Sequence, residues 1–150
     1  MIGLELPWVP PTSNHAYTNG GFGGRVLAKE GRAFLAKTKA HLAQHYPKEL
    51  RLFQPNKPYA VLLLFYFKDV ETKGYAKGKA GARYKVFDGG NRTKLLEDAL
   101  KDAGGVDDSQ TMISMWQKVY AGTGPERTRI FVWSMEEERT PFDDLLRQLY

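Results

Sequence analysis

Cysteine is absent from the sequence, which excludes disulfide frameworks, thiolate zinc sites and cysteine nucleophiles together. Histidine is scarce: His15, His41 and His45 all fall in the first third of the chain. No nucleophile-elbow glycine pattern accompanies them, so a Ser-His-Asp triad lacks its parts. His41 and His45 have the spacing of a zinc-protease pair, but HLAQH lacks the glutamate beside the first histidine that would serve as base, and both read as surface side chains. No apolar run reaches the roughly 18 residues of a membrane span. Met1 opens a strand-like segment rather than a charged and then apolar leader, so a cytoplasmic protein without a membrane partner is expected. Acids are outnumbered, 17 against 22 Lys and Arg, for a net charge of +5 and a pI near 9.4, a balance that favours a polyanionic partner.

With 42% hydrophobic and 13% aromatic content over 150 residues, the chain can bury one core and reads as one domain, residues 1–150, with no internal repeat. Residues Ile2 to Pro7 read as a first strand, and WVPPTSNHAY as a proline-bounded loop without regular structure. GGFGG at Gly20 to Gly24 is not followed by Gly-Lys-Ser/Thr and reads as a flexible loop rather than a phosphate cradle. From about Ala28 to Tyr46 the spacing of Leu27, Phe34, Leu35, Thr38, Leu42 and Ala43 predicts an amphipathic helix, ended by Pro47. Tyr59 to Phe67, YAVLLLFYF, fits a central strand buried on both faces. Thr111 to Ala121 and Arg127 to Met135 alternate as strands and, joined by GTGPE, predict a hairpin. After the acidic run Glu136-Glu137-Glu138, Pro141 opens a short helix through Phe142, Leu145, Leu146 and Leu149.

Chemistry concentrates between Lys85 and Met112, KVFDGGNRTKLLEDALKDAGGVDDSQTM. Asp88 ends an extended run, Gly89-Gly90 break it, and Asn91 has the side chain to cap a helix reaching about Ala103. Leu95, Leu96, Ala99, Leu100 and Ala103 form its apolar face, with Asn91, Lys94, Glu97, Asp98 and Lys101 opposite. Beyond Gly104-Gly105 come Asp107-Asp108, whose loop can fold back towards Asp88. Carboxylates gathered from two loops suit a hard cation such as Mg2+, and a nearby lysine suits a phosphate. The plainer reading stays open beside this one, because Asp and Asn before a helix are ordinary caps and Asp-Asp after Gly-Gly is ordinary turn chemistry. Upstream, Lys68, Lys73, Lys77, Lys79, Arg83 and Lys85 face only Asp69 and Glu71 in a glycine-rich segment containing Tyr75 and Tyr84. Such a loop either grips phosphates and stacks on unpaired bases or is a solvated linker.

LPWVPPTSN, GRVLAKEGRAFLAKTKAHL, the basic segment, FDGGNRTKLLEDAL and GVDDSQ, in that order, together resemble the RusA-like endodeoxyribonucleases, which resolve four-way Holliday junctions in recombination and repair and are typically carried by phages and prophages. The resemblance covers most of the chain. It implies an α/β (α+β type) fold, a small single domain with a mixed β-sheet flanked by helices, acting as a homodimer on branched DNA. It also implies Mg2+- or Mn2+-dependent phosphodiester hydrolysis. On the family pattern Asp-x-Asp-Asn-x-x-Lys followed by Asp-Asp-x-Gln, Asp88, Asn91, Lys94 and Asp108 take matching positions. Asp88 and Asp108, with Asp107 as a further candidate, would hold the metal, and Lys94 would stabilise developing charge. Lys73, Lys77, Lys79, Arg83, Lys85 and Arg92 would contact the nucleic acid. The sequence departs from the pattern at Gly90, where the middle aspartate is expected. Either Asp107, Glu97, Asp98 or a shifted Asp88 compensates, or the protein binds branched DNA without cutting it. A basic regulator that binds duplex DNA only is a third reading.

Overall fold

A computed structural model of the chain describes residues 1–19, 24–73, 77–78, 82–85, 87, 89–136, 140 and 142–143. In chain order the elements are β1 (Ile2–Leu6), α1 (Ser13–Ala16), β2 (Tyr17–Asn19), β3 (Arg25–Leu27), α2 (Lys29–His45), α3 (Pro47–Leu50), β4 (Tyr59–Phe67), α4 (Gly89–Gly104), a 3-10 turn (Asp108–Gln110), β5 (Thr111–Tyr120) and β6 (Arg127–Ser134). Four strands form one sheet in the order β1-β6-β4-β5, with β4 parallel to β5 and antiparallel to β6, and β6 antiparallel to β1. The architecture is the expected α/β one, a mixed sheet flanked by helices.

The apolar run of β4 explains why it lies inside the sheet. Tyr59, Ala60, Val61, Leu63 and Phe65 are all nearly inaccessible, so the strand has a neighbour on each edge and packed side chains on both faces. This overturns the hairpin expected of Thr111–Ala121 and Arg127–Met135: the strands exist, but β4 lies between them. Because β5 leaves α4 parallel to β4, it takes one edge of that strand, and β6 can then pair with β4 only on the other. The GTGPE connection crosses the end of β4, where Ala121 N–H donates to the Phe67 carbonyl at 2.8 Å.

One face of the sheet contributes Leu4, Leu6, Val61, Leu63, Phe65, Ile130 and Val132 to the main core, together with Phe34 and Leu42 of α2 and Leu95, Leu96 and Leu100 of α4. The other face carries a smaller cluster of Ala60, Trp133 and Phe142 with Leu62, Ile113 and Phe131 against it. On α2 the buried positions are Gly31, Phe34, Thr38 and Leu42, close to the predicted stripe, although Ala43 is exposed. Gly31 permits the close approach of α1: a Cβ there would lie 2.4 Å from the Ala16 carbonyl oxygen. Pro47 does end α2 but also opens α3, as a proline at the first helical position allows.

WVPPTSNHAY is more ordered than its prolines suggest. Its end forms α1, and Tyr17 begins a two-stranded antiparallel ribbon with β3. Trp8 is held by its indole N–H donating to Thr38 Oγ1 at 3.3 Å. His41 lies 5.2 Å from the Trp8 ring and 4.4 Å from the His45 ring, with its Nε2 3.1 Å from the Glu5 carbonyl oxygen, a packing role rather than a metal site. The loop reading of Gly20–Gly24 falls outside the described residues except at Gly24, as does the helix predicted after Pro141 except at Phe142 and Asp143. Among the described residues no helix is long and apolar enough to cross a membrane.

Candidate active site

Helix α4 organises the site. Its apolar face is the predicted one, with Leu95, Leu96 and Ala99 fully buried and Leu100 nearly so. It begins at Gly89, not after Asn91, so Asn91 lies within the first turn rather than capping it. The glycines before Asn91 are helical for different reasons. A Cβ at Gly89 would fall 2.1 Å from Trp116 Cε2, so the helix start packs directly on the indole. Among the described residues, a Cβ at Gly90 would meet nothing within 4 Å, the residue is exposed, and it is not one of the glycines with positive φ, Gly78, Gly105 and Gly122. Gly90 is therefore an open helical position that accepts a side chain. Asp88 and Lys79, both singled out in the sequence, lie outside the described residues.

At the far end of α4 the paired aspartates divide. Asp107 is the N-cap of the 3-10 turn and forms a full capping box: it accepts from Ser109 N–H at 3.0 Å, while Gln110 Oε1 accepts from Asp107 N–H at 2.9 Å. Its carboxylate also pairs with Lys101. Lys101, and then the Ser109 hydrogen bonds, hold the Asp107 carboxyl far below the usual carboxylate range. Gln110 Nε2 ties the turn to the Gln54 and Lys57 carbonyls at 3.0 and 3.1 Å. Asp108 is exposed and lines a small cleft that Glu97 also lines.

The helical spacing places Glu97 on the polar side of α4, but its carboxyl is half-buried. It accepts from Ser114 Oγ at 3.2 Å. Burial, and to a lesser extent the neighbouring Asp108 and Asp98 charges, push it up despite that bond and Lys94. Lys94, exposed one turn earlier, forms an i,i+4 pair with Asp98 at 3.7 Å. Asp108 and Glu97 line this cleft with the apolar Phe53, Val61, Leu100, Val106 and Val132, and carboxylate oxygens are the donors a hard cation takes. Among the described residues no group of three or more acids and histidines is placed to hold a metal.

Before α4, the two flanks of the glycine-rich segment pair as a short ribbon among the described residues. Glu71 and Tyr84 make an antiparallel bridge, Thr72 N–H donates to the Arg83 carbonyl at 2.8 Å, and Lys85 N–H to the Val70 carbonyl at 3.0 Å. The local acids engage two of the bases across it: Arg83 pairs with Glu71 at 2.9 Å and Lys85 with Asp69 at 2.7 Å. Lys85 holds the Asp69 carboxyl below its ordinary value. Lys73 and Lys77 are exposed.

Arg92, which the resemblance places among the nucleic-acid contacts, is largely packed. It is 8% exposed, its guanidinium donates to the Pro10 carbonyl, and it lies 5.4 and 5.3 Å from the Phe67 and Phe87 rings. The turn containing it faces the N-terminal segment, so Arg92 ties α4 to that segment. A lysine missed in the sequence stands beside it. Lys118, on β5, lines a cavity of about 220 Å³ with Arg92 and Lys85 and donates to the Lys85 carbonyl at 2.7 Å. Burial first, then the like charges of Lys85 and Arg92, lower its pKa. The available signal was a single cation inside the strand TMISMWQKVY.

Residues 7–132 match the model of the family described as Endodeoxyribonuclease RusA. No curated protein matches the chain. The match spans α4, the ribbon before it and the Asp107-Asp108 turn after it, and the chain belongs to that family.

Proposed function

We propose, from membership of the RusA endodeoxyribonuclease family, that this protein nicks four-way DNA junctions by metal-dependent phosphodiester hydrolysis, in recombination and repair. The observation that carries the reading is the division within Asp107-Asp108. Asp107 is engaged by Lys101 and the turn, while Asp108 faces the solvent beside Glu97. Asp108 and Asp88 would hold Mg2+ or Mn2+, with Asp107 the weaker candidate because of its cap and ion pair. When bound, the metal supplies Lewis-acid charge to the phosphate and an acidified water.

The chain's own residues orient the substrate. About 12 Å of helix axis separates Gly89 from Glu97, and Lys94 lies between them on the polar face, in position to offset charge on a phosphate held near Glu97. Lys73, Lys77 and Lys79, with Arg83 and Lys85 partly offset by their own acids, supply sequence-independent attraction to phosphates. A homodimer places two such sites on one junction, and the encoding genome is bacterial or phage, with the protein acting in the cytoplasm.

A second reading is favoured by one observation: Gly90 puts no carboxylate where the family pattern has one. On that reading the protein holds branched DNA without cutting it. Incubating the protein with a synthetic four-way junction and Mg2+ or Mn2+ separates the two. Paired nicks that Asp108→Asn removes while junction binding persists support the nuclease. Tight junction binding without nicks in either metal supports the second reading, and preference for linear duplex overturns both.

A further inference from the structure

Two depressions adjoin at the open end of β4 and β5, because Asp69 lines both. The larger, about 500 Å³, is bordered by Tyr84, Tyr120 and Lys68. Both tyrosines are well exposed for aromatic residues, 57% and 63%, and they come from separate elements, the ribbon and the end of β5. The smaller is the cavity in which Lys85, Arg92 and Lys118 converge. Lys118 and Tyr120 are alternate residues of β5 and therefore share one face, about 7 Å apart, one at each depression. The two carboxylates along this path, Asp69 and Glu71, are ion-paired to Lys85 and Arg83, so the local field stays positive. Like charges gathered on a partly enclosed wall disfavour one another, and an anion among them removes that cost.

We propose that these adjoining depressions form a subsite for one unpaired nucleotide, its base against Tyr84 and Tyr120 and its phosphate among Lys118, Lys85 and Arg92. Aromatic faces accept any base by stacking, and lysines accept any phosphate, so the subsite is indifferent to sequence. It selects instead for a base free of its own stack, which a branch point offers and a continuous duplex does not. The subsite rests on the branched-DNA reading above for its natural ligand, but not for its test.

The test measures binding, without divalent metal, of fluorescent-labelled four-way junction, matched linear duplex, short oligothymidine and its abasic counterpart. Tyr84→Ala and Tyr120→Ala should each weaken oligothymidine and junction binding by about tenfold, while Tyr84→Phe and Tyr120→Phe retain it. The abasic oligonucleotide should bind wild type and Tyr120→Ala alike. Lys118→Gln should reduce the salt slope by about one. Junction binding that prefers branches but ignores both tyrosine-to-alanine changes overturns the subsite alone. Tyrosine-dependent oligothymidine binding with no preference for the junction overturns the branched-DNA reading and leaves the subsite standing. No binding to any probe overturns both.

Discussion

The acidic turn after α4 and the basic ribbon before it follow one rule with opposite signs. Each is a glycine-flanked run of like charge, and in each the fold engages some charges internally and leaves others to solvent. In the turn, Asp107 is capped and paired while Asp108 is exposed. In the ribbon all four bases Lys73, Lys77, Arg83 and Lys85 are exposed, but Arg83 and Lys85 are paired to Glu71 and Asp69. In the turn the engaged aspartate shapes the backbone and the exposed one is available to a ligand; in the ribbon the paired bases stay accessible, with their charge partly offset by a neighbouring acid.

The sharpest break of this comparison is within the turn. Asp108→Asn should lower junction nicking at least about a hundredfold while binding stays level or rises. Asp107→Ala should leave nicking within about tenfold and lower Tm by about 3 °C. Gel assays and thermal melts read both, and equal loss of nicking in the two variants would erase the distinction.

The glycines that start α4 offer the next contrast. Gly90→Asp should fold normally, since its position is open and helical, and should raise Mg2+-dependent nicking if the missing acid limits the wild type. Unchanged or lower activity would show that another carboxylate already serves. Gly89→Ala meets the Trp116 ring and should cost about 1–3 kcal/mol of stability by overpacking, visible as a lower denaturation midpoint.

In the ribbon, replacing Lys73 and Lys77 by Gln should cut the salt slope of junction binding by about two. The same change at Arg83 and Lys85 should cut it less, because each already offsets a neighbouring carboxylate. The smallest expected effect is in acid. Lys101 depresses the Asp107 pKa in the folded state, so this contribution to stability is present above the unfolded value of about 3.9 and fades as pH falls through and below it. Chemical denaturation of wild type and Asp107→Asn should give curves that differ at pH 6 and converge towards pH 2.

Much of the scaffold could be read directly. The stripe of Leu95, Leu96, Ala99 and Leu100, most of the α2 stripe and the doubly buried run of β4 were all legible, because periodicity records which side of an element avoids water. Sequence reading failed where an element's partner mattered more than its own pattern. β5 and β6 alternate as hairpin strands do, yet each pairs with β4. That the turn of Arg92 faces Pro10, Phe67 and Phe87 was likewise not readable from the residues around it. Glu97 sits at the edge of the polar face, where only the approach of Ser114 and Asp108 reveals its partial burial.

By itself, then, the sequence determined the long elements β1, α2, β4, α4, β5 and β6, most of their buried faces, the excess of positive charge and the succession of motifs that marks the family, since all of these follow from residue types and their local spacing. The tertiary structure alone decided that β4 separates β5 from β6, that Lys118 meets Lys85 and Arg92, and that Asp107 is engaged while Asp108 is exposed. The first two depend on which distant element or side chain arrives within reach, which packing across the sheet sets, and the third on the turn that brings Ser109 and Lys101 to Asp107 rather than to Asp108.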